Sequence, residues 1–123
     1  MQFDFDPALP IYQQIIDAFR RAIARGQLAP GDRIMSQREL AQVARVSPNT
    51  AKRAYREMEQ MGLTETIRGQ GSIVRRDPTL VQTLREEMAR GAIQQFIGEM
   101  RSLGFSGEEA IEMARKSLEE ERT

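Results

Sequence analysis

Asn49, Lys52, Arg53 and Arg56 stand at i, i+3, i+4 and i+7. On a helix of about 3.6 residues per turn, that spacing places four polar side chains on one face. Their chemistry is that of duplex recognition. An Asn amide offers the donor and acceptor that match an adenine edge, and Lys or Arg reaches guanine N7 and O6. The remaining cations hold phosphates and so fix position without reading sequence. Ala51, Ala54, Tyr55 and Met58 repeat the same spacing two residues later. Two residues turn a helix by about 200°, so an apolar stripe lies nearly opposite the polar one. A charged face is also what most exposed helices carry, and the stripe alone leaves both readings open.

Other chemistries have little to work with. The chain has no His and no Cys, which removes the commonest general base, the thiol nucleophile and the usual transition-metal ligands. Glu86-Glu87, Glu108-Glu109 and Glu119-Glu120-Glu121 are adjacent pairs and runs, better read as helix caps and solvated faces than as catalytic carboxylates. No Walker-type or dinucleotide-binding glycine loop is present; Gly69-Gln70-Gly71 lacks a third Gly and a following helix. The sequence therefore predicts no enzyme, no cofactor and no metal site.

The elements around the polar stripe are legible. Tyr12, Ile15, Ile16, Phe19, Ala22 and Ile23 form one face of a first helix that Gly26 closes. A second, shorter helix starts at Ser36, where Ser36-Gln37-Arg38-Glu39 has the capping-box pattern. Leu40, Val43 and Ala44 are its buried side. Pro48 disfavours a helical residue before it, so that helix stops short of Ser47-Pro48 and a third begins there, with Ser47 as N-cap. The third helix runs to about Met61, and Gly62 ends it. Short helix, tight turn and outward-facing polar helix make a helix-turn-helix. Leu63–Ile67 and Ser72–Arg75 then read as strands joined by the turn Arg68-Gly69-Gln70-Gly71. A hairpin in that place is a wing, with Arg68 and Gln70 at its tip.

Residues 77–123 read as two helices after a linker at Arg75-Arg76-Asp77-Pro78. Leu80, Leu84, Met88, Phe96, Ile97, Met100 and Leu103 mark the longer one. Ser106-Gly107-Glu108-Glu109 caps the last, which carries Ala110, Ile111, Ala114 and Leu118. A remainder this small is marginal on its own. Leu84, Met88, Phe96, Ile97, Met100, Leu103, Ile111 and Leu118 are accordingly assigned to a symmetric interface with a second copy. An intramolecular helical hairpin is the simpler alternative.

The 123 residues suit one small domain with an appendage. The expected fold is mostly α with a small β-hairpin: a winged helix-turn-helix over 1–76, then a two-helix dimerisation unit over 77–123. Net charge is zero, but residues 1–76 carry 12 Lys+Arg against 8 Asp+Glu, net +4, and the rest carries 6 against 10, net −4. Positions 33–56 hold six cations against Glu39, a local patch suited to an anionic partner. No secretory signal or long apolar run is evident, so a cytoplasmic location is expected.

Several of these stretches resemble the N-terminal domain of GntR-family bacterial transcription regulators. They are Pro10–Ile15, Ala29–Arg33, Ser36–Ala41, Val46-Ser47, Glu59–Leu63 and Arg68–Ser72, in family order over about residues 10–74. The short helical tail and Ser47-Pro48-Asn49-Thr50 are similar to the YtrA-like subfamily. The resemblance implies a homodimeric repressor of an operon, such as a transporter operon, bound to a pseudo-palindromic double-stranded operator. It implies DNA contacts by Arg38, Ser47, Asn49, Thr50 and Lys52, and by Gly69 and Gln70 at the wing. Arg53, Arg56 and Arg68 join them on charge and position. The chain departs from the family where Ile34-Met35 replaces Leu-Pro, Gln37 replaces Glu, and Lys52-Arg53 replaces Arg-Glu. A small-molecule effector would follow from the family but has no support in these residues. A winged-helix protein-interaction module without DNA binding is the alternative function; it would need an apolar face where Asn49, Lys52, Arg53 and Arg56 stand.

Overall fold

A computed structural model describes residues 1–122. In chain order the elements are α1 (Ile11–Ala24), α2 (Gln37–Ala44), α3 (Pro48–Gln60), β1 (Thr64–Ile67), β2 (Gly71–Val74), α4 (Leu80–Ser102) and α5 (Gly107–Glu121). The protein is mostly helical, with one two-stranded antiparallel sheet.

Local chemistry sets the boundaries. The Ser47 hydroxyl accepts the Thr50 backbone N–H at 3.1 Å, and Pro48 occupies the first turn of α3, where a missing N–H does no harm. At α2 the Ser36 hydroxyl accepts the Glu39 N–H at 3.1 Å, but the Ser36 hydroxyl itself donates to the Glu39 carboxylate at 3.2 Å. The bonds differ from the reciprocal box expected there. At α5 the box is complete: Glu109 N–H donates to Ser106 Oγ, and Ser106 N–H donates to Glu109 Oε1. The Ser106 backbone N–H, and after it the Ser106 side chain, hold the Glu109 carboxyl below the usual range. α2 ends on Arg45 at φ 56°, ψ 49°, a left-handed residue that turns the chain into α3.

The first compact unit spans Met1–Arg85. Its core joins Ile15, Ile16, Phe19 and Ile23 of α1, Leu40 and Ala44 of α2, Ala51, Ala54, Tyr55 and Met58 of α3, and Leu63 and Val74 of the hairpin. Leu80 and Leu84 belong to the same core, which carries this unit past the expected boundary at residue 76. Leu84 is 4% exposed. Its assignment to a subunit interface is thereby corrected: the side chain is already covered within its own chain. Val43, expected on the buried side of α2, is exposed.

Residues 1–10 also pack. Phe3 and Phe5 stack at 5.6 Å between ring centroids and cover the core, while the alternating Asp4 and Asp6 are exposed. The Gln14 amide fastens this segment. Its oxygen accepts the Asp6 N–H at 2.8 Å, and its nitrogen donates to the Asp6 carbonyl at 2.8 Å and the Leu9 carbonyl at 3.1 Å.

Glu65 of β1 pairs with Arg76, just past the end of β2. The Glu65 carboxylate accepts from Arg76 Nη2 at 3.0 Å and from the Arg76 backbone N–H at 2.9 Å. These bonds, the side-chain one first, lower the Glu65 pKa. A lowered folded-state pKa stabilises above the unfolded value, and the contribution fades as pH falls through the folded one. Glu65→Gln is expected to lower the thermal midpoint slightly at pH 7 and not at all in acid well below about pH 4.3. Melting curves of both chains across that range check this; parallel curves at every pH would count against it.

The second compact unit begins at Glu86 and holds the rest of α4 and all of α5. Among its described residues Ala110 is the buried one. Ile93, Phe96, Leu103, Ile111, Met113 and Leu118 are exposed, and Met88, Ile97 and Met100 are half-buried.

Candidate nucleic-acid interface

α3 presents the two faces its spacing demands. Ala51, Ala54, Tyr55 and Met58 are buried, and Asn49, Lys52, Arg53 and Arg56 are exposed. The helix is braced from both sides. The Phe19 ring of α1 meets the Tyr55 ring edge-on, centroids 6.0 Å apart. The Tyr55 hydroxyl donates to the Met35 carbonyl just before α2, and burial pushes its pKa up. One side chain thus links α1, the start of α2 and α3, which fixes the helix-turn-helix angle.

Around α3 the remaining site residues take separate places. Arg38 is exposed on the first turn of α2. Ser47 caps α3, and its hydroxyl lies 2.9 Å from that of Thr50, so the two share one hydrogen bond at the helix start. Asn49 opens the exposed face directly beside this cap. Arg68, Gly69 and Gln70 are exposed at the wing tip.

Arg53 is placed in a way the sequence did not indicate. Its guanidinium carbon sits 3.8 Å from the centre of the Tyr12 ring in α1, and its Nε is 3.6 Å from the Glu57 carboxylate one turn on. It ties α1 to α3 through a cation–π contact while keeping 53% of its side chain exposed.

The wing departs from expectation by one residue. β1 pairs β2 with Thr64 opposite Val74 and Ile67 opposite Gly71, so the strand starts at Gly71 and the loop is 68–70. Gly69 and Gly71 have φ of 85° and 81°, the left-handed values that a side chain resists. The Gln70 N–H closes the turn on the Ile67 carbonyl at 2.9 Å.

Two features escaped the sequence reading. The stretch after Pro30 lies along the free edge of β2: Gly31 N–H donates to Val74 O, Val74 N–H to Asp32 O and Ile34 N–H to Ser72 O. Arg33, expected only as part of a basic patch, sends its Nε to the Gln70 carbonyl at 3.0 Å. The first has a weak signal in the β-branched Ile34; the second bridges 37 positions and has none.

A short helix, a left-handed turn, a helix with an Asn/Lys/Arg face and a hairpin behind it define a winged helix-turn-helix of the DNA-binding kind. The family model of the bacterial regulatory proteins, gntR family, matches residues 11–74. The chain belongs to that family and is a transcriptional regulator of the helix-turn-helix type.

Relatives match over most of their length. The HTH-type transcriptional regulator YhcF of Bacillus subtilis is 38% identical over 112 residues, 91% of this chain and 93% of that one. The HTH-type transcriptional repressor YtrA of the same organism is 40% identical over 74 residues, 60% of this chain and 57% of that one. Among solved structures, a GntR-family regulator from Listeria monocytogenes superposes with TM-score 0.84 at 36% identity, covering 91% of this chain and 98% of that one. The AraR DNA-binding domain, solved with its operator ORE1, superposes with TM-score 0.51 at 28% identity, over 60% of this chain and 93% of that one. No helix among the described residues is long and apolar enough to cross a membrane.

Proposed function

We propose that the protein is a homodimeric, sequence-specific repressor that works in the cytoplasm on a pseudo-palindromic operator, and that its work is binding rather than catalysis. The observation that carries this reading is the exposed Asn49, Lys52 and Arg56 face of α3, opposite a buried stripe, together with an exposed Arg68 at the wing tip. In this reading Asn49 and Lys52 read base edges, and Arg38, Ser47, Thr50, Arg53 and Arg56 hold phosphates or edges nearby. Arg68, Gly69 and Gln70 follow the flanking backbone or minor groove. Two recognition helices enter successive major grooves about 34 Å apart.

Dimerisation has its own support. In the second unit the apolar side chains of α4 and α5 lie largely in water. Helices with that much exposed apolar surface are normally covered by a partner, and a second copy with the same surface supplies one by symmetry. Met88, Phe96, Ile97, Met100, Leu103, Ile111 and Leu118 are the residues so assigned.

The test is selection from a random-sequence duplex library, then footprinting and a salt series. Two protected half-sites with affinity that falls steeply with salt are expected; equal weak binding to all duplexes would overturn the reading. Asn49→Ala and Lys52→Ala are expected to lose about 1–3 kcal/mol on the selected duplex and to relax one base position each. Arg56→Ala should weaken all duplexes alike and reduce the salt slope by about 0.9 for each phosphate left unneutralised. Wild-type selectivity in both Asn49→Ala and Lys52→Ala would remove α3 from the reading.

A further inference from the structure

We propose that Arg33 is a positioning residue for the wing: its guanidinium holds the tip of the hairpin at the height from which Arg68 and Gln70 meet the duplex. The inference rests on the wing contacts proposed above and concerns how the wing is held there.

The hairpin has strands of four residues each. Isolated two-stranded hairpins are marginal in water, and this one turns through two left-handed glycines, the most permissive backbone available. Its base is secured. The chain from Gly31 to Ile34 runs antiparallel along the outer edge of β2, with hydrogen bonds of 2.8 Å to Val74 O, 2.8 Å from Val74 N–H and 3.1 Å to Ser72 O. Arg33 stands opposite Ile73 in this ladder.

The backbone ladder reaches Ser72, two residues short of Gln70. The Arg33 side chain carries the attachment across that gap, Nε to the Gln70 carbonyl at 3.0 Å. A charged donor on a neutral carbonyl makes a stronger bond than an amide would, and it lands on the residue whose own N–H closes the turn. Both backbone groups of Gln70 are thereby fixed before any DNA arrives. A wing ordered in advance avoids part of the ordering entropy of binding.

A direct phosphate contact by Arg33 is the competing role, and a double-mutant cycle separates the two. In the full chain, Arg33→Met keeps the aliphatic stem and removes the donor. Affinity for the library-selected duplex is expected to fall about three- to ten-fold, roughly the net worth of one ordinary hydrogen bond. Footprint protection should weaken at the flanks and persist in the two central grooves. In an Arg68→Ala/Gln70→Ala background, the same substitution should change affinity by less than about two-fold, because the side chains it positions are gone. An equal loss in both backgrounds would mean that Arg33 meets DNA on its own account and would overturn the proposal.

A second readout needs no DNA. Backbone ¹⁵N order parameters at Gly69–Gly71 should fall in Arg33→Met while those of α3 stay unchanged. Wing order equal to wild type would overturn the proposal even if affinity dropped. A wild-type chain that selects no duplex would sink the DNA-binding reading instead, and the relaxation measurement would still decide whether Arg33 pins the wing.

Discussion

Placing Asp at both Phe96 and Met100 is expected to yield a monomer with an intact winged unit and an operator affinity about 10²–10⁴-fold lower. Phe96 is exposed and Met100 half-buried, one turn apart on α4, in a unit whose one buried described residue is Ala110. Two carboxylates in an apolar contact would have to be desolvated without partners, which strongly disfavours association. The core of the first unit contains no described residue beyond Leu84, so its fold should survive. Once the copies separate, each winged unit binds one half-site, and the second half-site no longer benefits from a high effective concentration. Sedimentation equilibrium reads the association state, and titration of the selected duplex reads the affinity. A doubly substituted chain that sediments like wild type would show that this face is not the interface.

Phe19→Ala is expected to destabilise the winged unit by about 3–5 kcal/mol, the usual range for a fully buried aromatic. Phe19 is 1% exposed, and its ring braces Tyr55, which in turn holds the start of α2 through the Met35 carbonyl. The loss combines missing apolar burial with a cavity at the joint of three helices. Total stabilities of about 5–15 kcal/mol leave little after such a change. Urea unfolding should show a much lower midpoint with an unchanged slope, and DNA binding should fail at a temperature the wild type tolerates. A midpoint within error of wild type would mean that the Phe19–Tyr55 contact carries no weight.

The helices of the winged unit were legible because each announces itself locally. The stripe from Tyr12 to Ile23, the Ser47-Pro48 start and the opposed faces of α3 follow from helical period and capping, which act within a few residues. Gly69 and Gly71 marked the wing for the same reason, although which glycine began β2 depended on the pairing register. What was hidden is long-range. Arg33 reaches Gln70, and Arg53 reaches Tyr12, across 37 and 41 positions; nothing in the local pattern couples them. Leu84 carries the same apolar signal as Phe96, and sequence spacing cannot say which is covered by its own chain. Phe3 and Phe5 did leave a trace, in the period-two Phe-Asp-Phe-Asp that a half-buried extended segment shows. The Gln14 amide that clasps this segment had no signature at all.

The separation of faces on α3 also bears on how such a regulator can change over time. Substitutions at Asn49 and Lys52 touch solvent in the free protein, and exposed positions usually shift stability by no more than about 0.5 kcal/mol. The residues that hold the helix are a different set, all facing the other way. A lineage can therefore drift to a new binding sequence, one base preference at a time, without passing through unfolded intermediates. Arg53 is the exception, since it serves both the outer face and the packing of α1. Retuning at that position would be constrained in a way that retuning at its neighbours is not.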